Sequence, residues 1–151
     1  MQITLKVKRD MITPDVQNKL RRVRRMDTVL KAMGQAVVSL TRRAFFSPSL
    51  RPAPWPVRKK QSSHPILLQS KLLQRSIRVT QATNNLVKIG SDRPYASVHQ
   101  FGSKKKKGRG SGIPPRPYFP LEGKPRSARL TRRAQDAVVA AGRRQADALL
   151  S

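Results

Sequence analysis

Residues 77–90 read IRVTQATNNLVKIG. Polar and apolar side chains alternate from Ile77 to Thr83, Asn84-Asn85 supplies a turn, and Leu86 to Gly90 carries the chain back. Period-two alternation on either side of a two-residue turn predicts an antiparallel β-hairpin. A third segment of the same period opens the chain. In Gln2–Lys8, QITLKVK, Ile3, Leu5 and Val7 alternate with Gln2, Thr4, Lys6 and Lys8, the pattern of a half-buried strand.

Between these strands the period changes. Thr13-Pro14-Asp15 gives a helix start: a hydroxyl cap, proline at the first helical position and an acid in the first turn. Apolar residues then recur in steps of three and four at Val16, Leu20, Val23, Met26, Leu30, Met33, Val37, Leu40 and Ala44. This predicts one amphipathic helix over about 15–46. Its stripe either packs on the protein's own sheet or forms a coiled-coil seam. Gly34 either lets another backbone come close or marks a bend. Lys19, Arg21, Arg22, Arg24 and Arg25 crowd the first half, where the helix dipole disfavours positive charge and an acidic partner would compensate. A solvated basic face is the plainer alternative.

Residues 47–65, SPSLRPAPWPVRKKQSSHP, hold prolines at 48, 52, 54, 56 and 65, which forbid continued helix and predict an extended connector. Trp55, the single tryptophan, either pins this connector to the core or anchors a neighbouring subunit. Ile66–Gln74 reads as a short helix with Leu68, Leu72 and Leu73 inward. Tyr95–Phe101 reads as a helical turn closed by Gly102. Arg116–Leu121 reads as an edge strand confined by Pro117 and Pro120. A final helix spans Thr131–Leu150, with Ala134, Val138, Ala141 and Leu149 on its stripe and Arg132, Arg133, Arg143 and Arg144 outside. The expectation is an α+β fold: one domain over 1–151, a small antiparallel sheet packed with a long N-terminal and a C-terminal helix, and long basic or proline-rich loops.

Arg93–Leu121, RPYASVHQFGSKKKKGRGSGIPPRPYFPL, sets two segments rich in rings around a loop of glycine, serine, lysine and arginine. The flanks, with Tyr95, Val98, Phe101, Ile113, Tyr118 and Phe119, suit docking on the fold. The loop, 103–112, cannot bury enough apolar surface to offset its ordering entropy and is expected to project as a mobile basic finger. Lys104, Lys105, Lys106, Lys107 and Arg109, with Arg21, Arg22, Arg24 and Arg25, are the candidate contacts to nucleic acid or an acidic partner.

The charge balance points the same way. Among 151 residues, 33 Lys and Arg face 7 Asp and Glu, a formal net charge of +26. Such a chain favours polyanions. There is no cysteine, so no disulfide or thiolate chemistry is expected. No apolar run approaches the roughly 18 residues of a membrane span, and the N-terminus lacks the pattern of a signal peptide. The protein is therefore expected to be soluble, without a membrane partner.

Catalysis finds little footing. Asp10, Asp15, Asp27, Asp92, Glu122, Asp136 and Asp147 form no metal-ligand spacing with a histidine, and no nucleophile elbow or phosphate-binding glycine loop occurs. Asp92 and His99 are close in sequence, but a turn role for Asp92 and a structural hydrogen bond for His99 are the simpler expectation. GRGSG around Arg109 lacks the strand-to-helix frame of a phosphate cradle. No catalytic residue, cofactor or metal ligand is expected, and no base-reading motif occurs.

Tyr95, Ala96, His99, Gln100, Phe101 and Gly102, then Ile113, Pro114, Arg116, Pro117, Tyr118 and Phe119, form a pattern of two halves. It resembles the signature of the phage virion morphogenesis proteins, the tail-completion or head–tail joining proteins of tailed bacteriophages. Upstream, Trp55 followed by Pro65–Ile77, PILLQSKLLQRSI, is similar to that family's order of Trp and Leu-x-x-Ser-Ile. The resemblance covers roughly the last two thirds of the chain. It implies a homo-oligomeric ring, a hexamer as first guess, at the neck or tail top of the virion, assembled in the host cytoplasm. Its partners would be neighbouring phage connector and tail proteins, with non-specific contact to packaged DNA. Interfaces in a ring join unlike patches, and Trp55, Tyr95, His99, Phe101, Arg116, Tyr118 and Phe119 are the residues expected to shape them. The alternative class is a ribosomal or nucleoid-type nucleic-acid-binding protein, whose composition would be much the same. An assembly factor absent from the finished particle is a third.

Overall fold

The computed structural model describes residues 1–6, 26–58, 60–104, 112–124 and 127–150. The hairpin forms where the alternation places it. Strand β2 (Arg78–Ala82) pairs antiparallel with β3 (Leu86–Gly90), with Arg78 opposite Gly90 and Ala82 opposite Val87. A register shift between Val79 and Gln81 puts a bulge at Thr80, whose hydroxyl donates to the Lys88 carbonyl at 3.3 Å. Strand β1 (Gln2–Lys6) adds to the other edge of β3, giving an antiparallel sheet in the order β1-β3-β2.

Helix α1 (Met26–Ala44) lies across this sheet and buries Leu30, Val37 and Ala44 of the expected stripe, together with Val29 and Val38. It packs on β2 and β3 and carries the C-terminal helix α4 (Arg132–Leu150) on another face, so the stripe serves the protein's own core. Asp15–Arg25, the expected first half of the helix, lie outside the described residues, as do the last two residues of the expected first strand. Gly34 lies where helix meets sheet, without interrupting the helix. A Cβ there would fall 2.7 Å from Val87 Cγ2 and 2.9 Å from Val79 Cγ2. Absence of a side chain lets the backbone seat on the two valines.

Helix α4 starts where Thr131 predicts. The Thr131 hydroxyl accepts the Ala134 N–H at 3.4 Å, and the Gln135 side chain donates back to the Leu130 carbonyl at 2.7 Å. The Thr131 hydroxyl partners an N–H that the first turn of a helix otherwise leaves free, and the Gln135 bond ties that turn to the strand before it. Ala134, Val138 and Ala141 are buried as expected, whereas Leu149 is exposed.

Two elements differ from expectation. The short helix is α2 (Leu72–Ser76) and not 66–74: Leu67 (φ 63°) and Lys71 (φ 56°) adopt left-handed backbone that breaks any helix before Leu72. Leu68 and Leu73 are buried, while Leu72 points outward. Arg116–Leu121 is not an edge strand, because its backbone groups bond to the helical turn α3 (Ala96–Phe101) and to the connector instead of to a ladder. Only β4 (Leu121–Glu122) pairs, with β5 (Arg129–Leu130), in a short hairpin that the sequence pattern did not reveal.

A cluster of rings closes the C-terminal end of α1. Trp55, Phe45, Tyr118 and Phe119 stand in that order with ring centroids 5.1–5.9 Å apart in successive pairs, and all four are buried.

Candidate interaction surface

The surface is built from the two halves of the aromatic motif and the connector that crosses them. Helix α3 presents Gln100 inward, and its side-chain oxygen accepts the backbone N–H groups of Tyr118 and Phe119, both at 3.0 Å. The Tyr118 hydroxyl returns a bond to the Ala96 carbonyl at 2.8 Å, and the Arg116 N–H donates to the His99 carbonyl at 2.7 Å. Burial raises the Tyr118 pKa well above the usual tyrosine range, which keeps the phenol a donor.

Beyond α3, Gly102 turns the chain at φ 77°; a Cβ there would meet the Ile113 carbonyl oxygen at 2.9 Å. The Ser103 N–H donates to the Ile113 carbonyl at 2.9 Å, and the Ser103 hydroxyl accepts the Ile113 N–H at 3.2 Å. This pair of bonds staples the two ends of the basic loop together. Lys104 stands exposed at its root; Lys105, Lys106, Lys107 and Arg109, like Arg21, Arg22, Arg24 and Arg25, lie outside the described residues.

The connector is fixed by Trp55. Its indole N–H donates to the Pro117 carbonyl at 2.8 Å, its ring meets Phe45 edge-on, and the Arg51 guanidinium lies 3.7 Å above its centroid. Arg51 also donates to the carbonyls of Ala44 (2.8 Å) and Phe45 (3.1 Å), so one side chain closes the end of α1 and stacks on the connector. Of the two roles open to Trp55, pinning the connector to the core is the one visible in the chain.

Past Trp55 the connector stands off the motif and leaves a groove of about 440 Å³. Arg58 shapes its wall by donating to the carbonyls of His64 (2.7 Å) and Pro65 (2.8 Å). Tyr95, His99 and Arg116 line the groove, and the His99 and Tyr95 rings meet edge-on at 5.7 Å. His99 Nδ1 and Arg116 Nε are buried without a hydrogen-bond partner. Burial, and secondarily the charge of Arg116, lowers the His99 pKa below the ordinary histidine value. The structural hydrogen bond expected of the His99 ring is thus absent at Nδ1, while Asp92 faces Arg78 (3.2 Å) and Arg93 (3.6 Å).

The motif residues therefore divide. Tyr95 is exposed, and His99, Phe101 and Arg116 are half-buried, whereas Tyr118 and Phe119 are enclosed by the chain's own core. Gln100 belongs to the sequence motif but was not expected as a site residue, and Arg51 and Phe45, which also hold the surface together, were not singled out. Among the described residues no group of three or more His, Asp or Glu is placed to hold a metal ion, and no helix is long and apolar enough to cross a membrane.

A model of the phage virion morphogenesis family matches residues 8–139, which include α1, the sheet's hairpin and both halves of the clamped motif. The chain belongs to this family. The family is described by virion morphogenesis, the building of phage particles. It is also 39% identical over 71 residues to the Mu-like prophage FluMu G protein 2 of Haemophilus influenzae (strain ATCC 51907 / DSM 11121 / KW20 / Rd). That similarity covers 47% of this chain and 49% of the relative, so it spans about half the length of each. No solved structure matches this family member.

Proposed function

We propose that this virion morphogenesis protein is a structural component of the phage neck, a tail-completion or connector subunit that assembles with copies of itself into a ring. The observation that carries the reading is the clamped motif: Gln100, Tyr118 and the Ser103–Ile113 staple make a rigid base from which a loop bearing Lys104–Lys107 and Arg109 departs. A rigid base under a charged loop suits a subunit that wedges between neighbours and meets an acidic surface or packaged DNA. Trp55, Tyr95, His99, Phe101 and Arg116 surround this base, and Tyr118 and Phe119 stiffen it from beneath.

Native mass spectrometry and electron microscopy of the purified protein test the proposal, together with mass spectrometry of purified virions. Closed rings, with a hexamer as first guess, and a stoichiometric presence in virions are expected. Monomers alone, or absence from the particle, would overturn it. Filter binding over a salt series tests the loop. Replacing Lys104–Lys107 by Ala should reduce the salt dependence of DNA binding by about one unit of log–log slope per lysine that meets a phosphate. An unchanged slope and unchanged assembly would remove the electrostatic role.

A further inference from the structure

We infer that the groove between the connector and the floor formed by His99 and Arg116 is a docking site for an acidic segment of a different protein, a short stretch carrying Asp or Glu beside an apolar side chain. The inference deepens the reading above, since it takes the occupant from a neighbour in the particle. The lining is amphipathic in a specific way: Arg58, Lys60 and Arg116 are cationic, Ile66, Leu67 and Leu73 are apolar, and among the described residues no carboxylate lines the groove. Its size falls within the range of cavities that hold several side chains.

Arg116 makes the strongest demand. Among the described residues its Nε is buried without a partner, and its Nη2 makes a long bond of 3.5 Å to the Pro56 carbonyl. A planar guanidinium in that condition is suited to a carboxylate, which accepts two of its N–H groups at once. Among the described residues, the carboxylates of Asp92 and Asp136 already face arginines of their own. With 7 acidic against 33 basic residues, a second copy of this chain is also a poor source of the missing charge. Nucleic acid fits less well. A phosphodiester backbone satisfies cations at a surface, but it offers no apolar side chain to cover the half-buried Ile66 and Leu67.

The test uses the full chain and a labelled peptide of alternating leucine and glutamate. Its leucine–glutamine counterpart and a single-stranded oligonucleotide serve as comparison probes, all followed by fluorescence anisotropy. Arg116→Gln should weaken the acidic peptide about ten-fold, the loss of one charge-assisted contact. Lys60→Glu, at an exposed position, should weaken it in the same direction and guards against a folding defect in the first variant. The oligonucleotide should change less than about two-fold with either variant, because the lost site is one cation among many. Equal binding of the glutamine peptide, unchanged peptide affinity in both variants, or an equal loss for the oligonucleotide would each overturn the proposal. Native mass spectrometry of the same samples separates the two readings. Rings that persist without peptide binding sink only the groove, and monomers that still bind the peptide sink only the ring.

Discussion

The Gln100 carboxamide oxygen accepts the backbone N–H of Tyr118 at 3.0 Å, across a loop that leaves at Ser103 and returns at Ile113. The same oxygen takes the Phe119 N–H, so one side chain satisfies two successive buried donors that no strand partner reaches. Gln100→Leu keeps much of the volume and leaves both donors bare. A loss of about 3 kcal/mol is expected, since a buried donor deprived of its partner costs about 1–3 kcal/mol. Chemical denaturation followed by the emission of Trp55, the single tryptophan, measures it. A loss below about 1 kcal/mol would show that the clamp does not depend on this oxygen.

Gly34 sits within van der Waals reach of two β-branched side chains, Val87 and Val79. Alanine gains about 1 kcal/mol of helix propensity but forces a repacking that costs about 1–3 kcal/mol, so Gly34→Ala should destabilise by about 1 kcal/mol. In a Val87→Ala background the nearer obstruction is removed while Val79 remains, so the same substitution should cost less. A double-mutant cycle of thermal unfolding tests this coupling; additive effects would exclude it.

His99 gives the fold a pH dependence. Its pKa is lowered in the folded state by burial and then by Arg116, so the unfolded chain holds the proton more tightly. Where the unfolded state binds more protons, stability rises with pH. The contribution is complete above the ordinary histidine pKa of about 6.5, erodes as pH falls below it, and levels off beneath the folded value. His99→Gln should flatten the fall in melting temperature between about pH 7.5 and about pH 5.5. Identical slopes in both proteins would remove His99 as the cause.

The hairpin, α1 and α4 were legible because their periodicities of two and three-to-four describe burial directly. Val79, Val87 and Ile89 turn toward α1, as do Ala134 and Val138. The short helix before β2 was misplaced because Leu67 and Lys71 carry positive φ values that nothing in their side chains announces. The Arg116–Leu121 segment reads as an edge strand bounded by Pro117 and Pro120, yet its hydrogen bonds run to Gln100, Ala96 and His99, partners more than a dozen residues away. For the surface, the aromatic motif marked the right region. A buried glutamine and an arginine stacked on tryptophan are tertiary facts, and no local spacing distinguishes them from solvated residues.

The staple between Ser103 and Ile113 means that the ends of the basic loop are already held together, independently of what lies between them. Lengthening a closed loop costs only about 0.6 kcal/mol per doubling. An epitope or a small labelling peptide spliced after Lys107 would leave the clamped core intact. That position offers a handle for locating the subunit inside whole phage particles by labelling or tomography.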